Sequence, residues 1–128
     1  MFQIDPLSRV PVYEQVIEQL EKFILIGAIP PGEQIPSVRG LALEHSVNPR
    51  TILKAYSDLD SKGVIKAVPG KGYFVCENAL EILGKDRLAE LDALSETVEL
   101  IAMAGIPKEK VINCIEEAYE KVNKGRKE

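Results

Sequence analysis

This 128-residue sequence holds one histidine, two cysteines, no tryptophan and few aromatic residues. A zinc centre needs about four clustered nitrogen or sulfur ligands. His45, Cys76 and Cys114 stand far apart, so no metal and no other cofactor is expected. The same scarcity leaves no visible nucleophile–base pair, and an enzyme is not expected. Two isolated cysteines read as reduced, idle thiols of a cytoplasmic protein. The longest apolar run, Phe23 to Ile26, is far too short to span a bilayer, which argues against a membrane partner. The opening residues MFQIDPLSRVP hold no apolar run after a basic start, so no secretory leader is expected. With 5% aromatic but 45% hydrophobic residues, the core should be aliphatic.

The formal net charge of −4 argues at first against a nucleic-acid partner, but its distribution argues otherwise. Residues 1–36 sum to −3, residues 37–76 to +3, and residues 77–128 to −4. A basic island between acidic flanks suits a surface that meets phosphates, because local charge governs that contact.

Periodicity organises the island and what precedes it. Tyr13, Val16, Ile17, Leu20 and Ile24 recur at helical spacing between Pro11 and Ile26, with Glu14, Glu18 and Glu21 expected on the other side. Gly27 offers an end, and Pro30-Pro31-Gly32 forces a turn. Ser37 is a good N-cap for a short helix carrying Val38, Leu41 and Ala42, although Gly40 costs about 1 kcal/mol there relative to Ala. Ser46-Val47-Asn48 forms a tight turn. Asn48 can cap the next helix and Pro49 fits its first position, so a helix is expected from Pro49 to Lys62, stopped by Gly63. Two helices joined so tightly outline a helix-turn-helix.

On that second helix Ile52, Ala55, Tyr56 and Leu59 share one side at about 100° per residue. Arg50, Lys54, Ser57 and Ser61 share the opposite side, with Thr51 at its edge and no carboxylate at its centre. An ordinary solvated face mixes acids and bases; this one reads as a DNA-facing surface. Val64–Val68 and Tyr73–Cys76 read as two strands around Pro69-Gly70-Lys71-Gly72, a hairpin with a basic, glycine-rich tip. The tip lacks the spacing of a nucleotide-binding loop and opens no helix. A hairpin there is the wing of a winged helix.

Beyond Cys76 the pattern is helical over residues 79–104, with Gly84 expected as a break, and again after Gly105 and Pro107. Leu88, Leu91, Leu94, Val98 and Ile101 form one stripe. Val111, Ile112, Ile115, Tyr119 and Val122 form another, and residues 123–128 are expected to fray. Two such helices make no core alone. Pairing with a second subunit would cover Leu88, Leu91, Leu94, Val98, Ile101, Ile112, Ile115 and Tyr119; folding back on the head is the alternative. The expected fold is mainly α with a small β-hairpin: a winged helix-turn-helix head over residues 1–76 and a two-helix dimerisation tail over residues 77–128.

The run from Pro11 to Cys76 resembles the GntR family of bacterial transcription regulators. The resemblance rests on PGEQIPSVR, on Val47-Asn48-Pro49-Arg50-Thr51, on Leu59-Asp60-Ser61-Lys62-Gly63 and on Gly70-Lys71-Gly72-Tyr73-Phe74-Val75. The tail, with Ala104-Gly105-Ile106-Pro107-Lys108-Glu109, is similar to the YtrA subfamily, whose members dimerise through two C-terminal helices. The resemblance implies DNA contacts from Arg39, from Asn48, Arg50, Thr51 and Lys54 at the start of the recognition helix, and from Gly70 and Lys71 in the wing. Ser37 and Ser57 complete the candidate set. Gly40 stands where Glu is usual, and Pro49 and Leu53 where other branches have arginine, so an arginine-based readout does not transfer to those positions. Arg50 is the expected reader of a base edge, with Lys54, Arg39 and Lys71 as phosphate anchors.

The function implied is a homodimeric repressor on an inverted-repeat operator in double-stranded DNA, by resemblance controlling an ABC-transporter operon. A sensor gated by a small-molecule effector near the head–tail junction is the competing expectation; its effector is unidentified. A winged helix that binds only protein would carry an apolar or acidic helix face, which this sequence lacks.

Overall fold

The computed structural model describes residues 1–125. Along them run α1 (Val12–Leu25), α2 (Val38–His45), α3 (Pro49–Ser61), β1 (Ile65–Val68), β2 (Gly72–Val75), α4 (Ala79–Leu88), α5 (Leu91–Met103) and α6 (Lys108–Gly125). Of the fraying expected over 123–128, residues 126–128 lie outside the described range, while α6 continues through Gly125. The chain divides into two compact units, Met1–Leu83 and the residues from Gly84 onward.

The first unit is built on aliphatic burial. Val16, Leu20 and Ile24 of α1 meet Leu41 and Ala42 of α2, Ile52, Ala55, Tyr56 and Leu59 of α3, and Val64, Ile65 and Val75 in and beside the hairpin in one cluster. Ala79 and Leu83 of α4 belong to the same cluster. That burial carries the head seven residues past the boundary at residue 76 read from the sequence.

Each helix end has a local cause. The Ser37 hydroxyl accepts from Gly40 N–H at 2.9 Å and the Asn48 carboxamide oxygen from Arg50 N–H at 2.9 Å, so both expected caps form. After α3, Gly63 N–H donates to Asp60 O and Val64 N–H to Leu59 O, at 2.9 and 3.0 Å. This is a Schellman closure with Gly63 at φ +82° and Leu59 packed near Val64. The same closure ends α2, but there Ser46 takes the left-handed conformation at φ +53°.

Glu21 was expected on the solvent side of α1 and is instead buried, with its carboxylate 3.1 Å from Lys62 Nζ at the end of α3. The ammonium supplies a charge partner that makes burial tolerable. The polar residues of α1 do further work. Gln15, also buried, donates to the carbonyls of Asp5 and Val10 and accepts from Asp5 N–H. Gln19, one turn on, binds both main-chain polar groups of Gln3. These two amides strap residues 1–10 along α1, and Phe2 closes the strap edge-to-face on Phe23, centroids 5.2 Å apart.

β1 and β2 pair antiparallel from Ile65↔Val75 to Val68↔Gly72. Gly72 therefore belongs to the strand, and the tip shrinks to Pro69-Gly70-Lys71. Lys71 N–H donates to Val68 O at 2.9 Å, with Pro69 first and Gly70 second (φ +77°) in the bend, the pattern of a type II turn. The other edge of β2 is also covered: Ile35 N–H donates to Tyr73 O, Val75 N–H to Glu33 O, and Gly32 N–H to Val75 O. An isolated antiparallel bridge, Gln34↔Phe74, thus ties the wing to the body.

The break expected at Gly84 does not occur there. Gly84 lies inside α4, with helical φ and open space around it, so its missing side chain only weakens the helix locally. The interruption falls at Ala89–Glu90, where Glu90 N–H bonds Arg87 O and the two side chains pair at 2.8 Å. In the second unit Gly105 (φ +78°) closes α5 as expected, with Ile106 N–H reaching Ile101 O. No residue of α5 or α6 is buried. Val98, Ala102, Ile106, Val111, Ile112 and Ile115 line an open apolar groove of about 380 Å³ between them.

Candidate nucleic-acid interface

The basic face of α3 stands out because its opposite face is fixed. Ile52, Ala55, Tyr56 and Leu59 are completely buried, which turns Arg50, Lys54 and Ser57 outward, all exposed. Thr51 is half-buried at the edge, as its position on the helix requires. Pro49 occupies the first turn, where its missing N–H is no loss. The N-terminal end of α3 thereby presents a positive helix dipole beside Arg50, an arrangement suited to an anionic backbone.

Tyr56 fixes the angle between α2 and α3. Its hydroxyl donates to Pro36 O at 2.7 Å, immediately before the Ser37 cap, and its ring meets Tyr73 of β2 edge-on at 5.1 Å. Burial, with Tyr73 adding to it, pushes the Tyr56 hydroxyl well above the ordinary tyrosine range. One side chain therefore joins the recognition-type helix, the start of α2 and the wing. Ser37 and Arg39 are exposed at the first turn of α2.

The wing tip carries Gly70 and Lys71, both exposed. The side-chain amide of Gln34 donates to Lys71 O at 2.7 Å and pins the tip. Gly72 makes that contact possible: its φ is +122°, and a Cβ there would lie 2.7 Å from Gln34 Nε2. Among the described residues there is no cluster of metal-ligating side chains.

The structure thus turns most of the expected set to solvent, on α2, α3 and the wing of one unit. Ser37 and Asn48 differ in role, since each spends an oxygen capping its own helix. Two partners were not legible in the sequence. Tyr13 of α1 holds Lys54 Nζ 3.9 Å above its ring, a cation–π contact that orients this lysine. Gln34 is the other; nothing in its neighbours announces a bond across 37 positions. His45, the last residue of α2, is half-buried, with Glu44 Oε2 3.9 Å from its Nε2.

Comparison with known proteins agrees with this geometry. The family of bacterial regulatory proteins named gntR matches residues 12–75. The HTH-type transcriptional repressor YtrA of Bacillus subtilis is 37% identical over 99% of this chain and 98% of its own length. A solved structure described as a transcriptional antiterminator from Listeria monocytogenes superposes with a TM-score of 0.74 at 32% identity, covering 95% of this chain and 92% of that one. AraR(DBD) in complex with operator ORR3 is 35% identical with a TM-score of 0.51, over 59% of this chain and 95% of that one. By its head, its tail and its full-length similarity, this chain is a winged-helix, non-enzymatic member of the GntR family of bacterial regulatory proteins, in the YtrA branch.

Proposed function

We propose that the protein is a homodimeric repressor that binds an inverted-repeat operator, with one α3 entering the major groove of each half-site. The observation that carries this reading is the exposure of Arg50, Lys54 and Ser57 on one face of α3, together with that of Ser37 and Arg39 of α2 and the Gly70-Lys71 tip. Arg50 presents a guanidinium that fits guanine O6 and N7. Arg39, Lys54 and Lys71 anchor phosphates and fix register. Half-site centres then lie about 34–36 Å apart or a multiple of that.

Dimerisation is supported by the apolar stripes that the tail leaves uncovered. Leu88, Leu91, Leu94, Ile112, Ile115 and Tyr119 are exposed, and Val98 and Ile101 half-exposed. Repression follows from the similarity to the Bacillus subtilis transcriptional repressor YtrA. An ABC-transporter operon as target is carried over from the family resemblance, and a cytoplasmic location from the two isolated cysteines read as reduced thiols.

The test is sequencing of genomic fragments retained by the purified protein at moderate salt, with an Arg50→Ala, Lys54→Ala double variant alongside. A shared inverted repeat, lost in the variant, is expected. Retention of fragments without any common repeat would sink the proposal, as would equal enrichment by the variant.

A further inference from the structure

Between Pro11 and Cys76 the head covers its large apolar side chains well. The exposed exceptions are Leu43 and Leu53, and both belong to the helix-turn-helix. Leu53 lies on α3 itself, 45% exposed. At about 100° per residue it stands roughly 60° from Arg50 and 100° from Lys54, on the flank of the basic face away from that lysine. Pro49 and Ser57 are its neighbours one turn to either side, and Arg50 is its neighbour at three residues. Pro49 is also exposed. It continues the apolar strip into an open depression lined by Ala42, Leu43 and Val47, with Arg39 at the rim.

A lone exposed leucine needs no explanation. Here the apolar exposure is confined to the two helices of the motif and borders the guanidinium expected to read a base. The chemistry in a major groove that an apolar side chain can recognise is the thymine 5-methyl group. We infer that Leu53, backed by Pro49, forms an apolar subsite of the DNA interface that reads a thymine methyl within two base pairs of the guanine contacted by Arg50. The separation follows from a three-residue rise of about 4.5 Å along α3 set against about 3.4 Å per base pair. This inference rests on the operator-binding reading above and specifies part of its sequence preference.

The probe is the operator recovered from the fragment experiment, resynthesised with single thymines replaced by deoxyuridine in both half-sites. Deoxyuridine keeps every hydrogen-bonding group and removes only the methyl. Burying one methyl corresponds to about fourfold in affinity, so a symmetric replacement should weaken binding by roughly tenfold to twentyfold. One thymine position, close to a guanine, should show this loss. Leu53→Ala, at an exposed position where folding is checked by circular dichroism, should bind the thymine and deoxyuridine operators within about twofold of each other. Arg50→Ala should bind weakly yet keep the preference for the methylated base. No position sensitive to deoxyuridine, or a sensitivity undiminished in Leu53→Ala, overturns the inference while leaving operator binding intact. Failure to recover any operator overturns both.

Discussion

Gly72 and Gly70 sit two residues apart in the wing, both at positive φ, and should respond very differently to a single methyl group. At Gly70, φ is +77° and a Cβ would meet nothing within 4 Å. Alanine there bears only the left-handed penalty of about 1–2 kcal/mol, reduced by about 0.4–1 kcal/mol from the stiffer unfolded chain; the net loss is about 1 kcal/mol. At Gly72, φ is +122°, outside the left-handed well, and the new Cβ falls 2.7 Å from Gln34 Nε2. Backbone strain of up to about 3 kcal/mol then combines with loss of the Gln34 bond to Lys71 O, worth about 1 kcal/mol. After the same unfolded-chain correction, Gly72→Ala should cost about 3 kcal/mol. Urea denaturation of the full chain at one fixed protein concentration measures both, since association shifts apparent stability. The Gln34→Ala, Gly72→Ala pair adds an internal check: relieving the clash should make the double variant about 1 kcal/mol more stable than the sum of the singles. Equal losses for the two glycine variants, or strictly additive behaviour with Gln34→Ala, would refute the steric account of the wing.

Three further outcomes follow from the same geometry. Tyr56→Phe should cost about 1 kcal/mol by freeing Pro36 O; in the wild type the raised Tyr56 pKa stabilises fully below the unfolded value of about 10 and is lost as pH climbs above it, so alkaline denaturation curves of the variant should lack that decline. Ser46→Gly relieves a left-handed residue at φ +53° and should raise stability by up to about 1 kcal/mol; a lower denaturation midpoint would show that the αL cost is not felt. Ile112→Asp in the exposed tail stripe should shift sedimentation from dimer to monomer, because each apolar side chain buried at an interface contributes about 1.5–3 kcal/mol and appears twice in a symmetric pair; an unchanged dimer would remove this stripe from the interface.

The parts of the fold legible in the sequence are those with local causes. Ser37, Asn48 with Pro49, Gly63 and Gly105 mark helix ends through hydrogen bonds within a few residues, and the period of α3 alone separates its buried side from its basic one. What escaped depends on distant partners. Glu21 is indistinguishable from Glu14 or Glu18 in a helical pattern; its ion pair with Lys62, 41 positions away, is what the pattern does not announce. Lys54 over Tyr13 and Gln34 on Lys71 are of the same kind. Gly84 misled for a different reason. Glycine permits an interruption without requiring one, and the helix breaks at Ala89–Glu90, which carries no turn-forming residue.

The strap along α1 is gripped by its main chain: Gln15 and Gln19 hold the amides and carbonyls of Gln3 and Asp5, whatever side chains those positions carry. At the two gripped positions a clasp of this kind places its sequence requirement on the helix, while Phe2 and Ile4 add apolar contacts of their own. Substitutions at the exposed Gln3 should be broadly tolerated, whereas Gln15 should be nearly irreplaceable. Glutamate in its place would keep the acceptor and lose both donors, turning the clasp against the carbonyls it now holds.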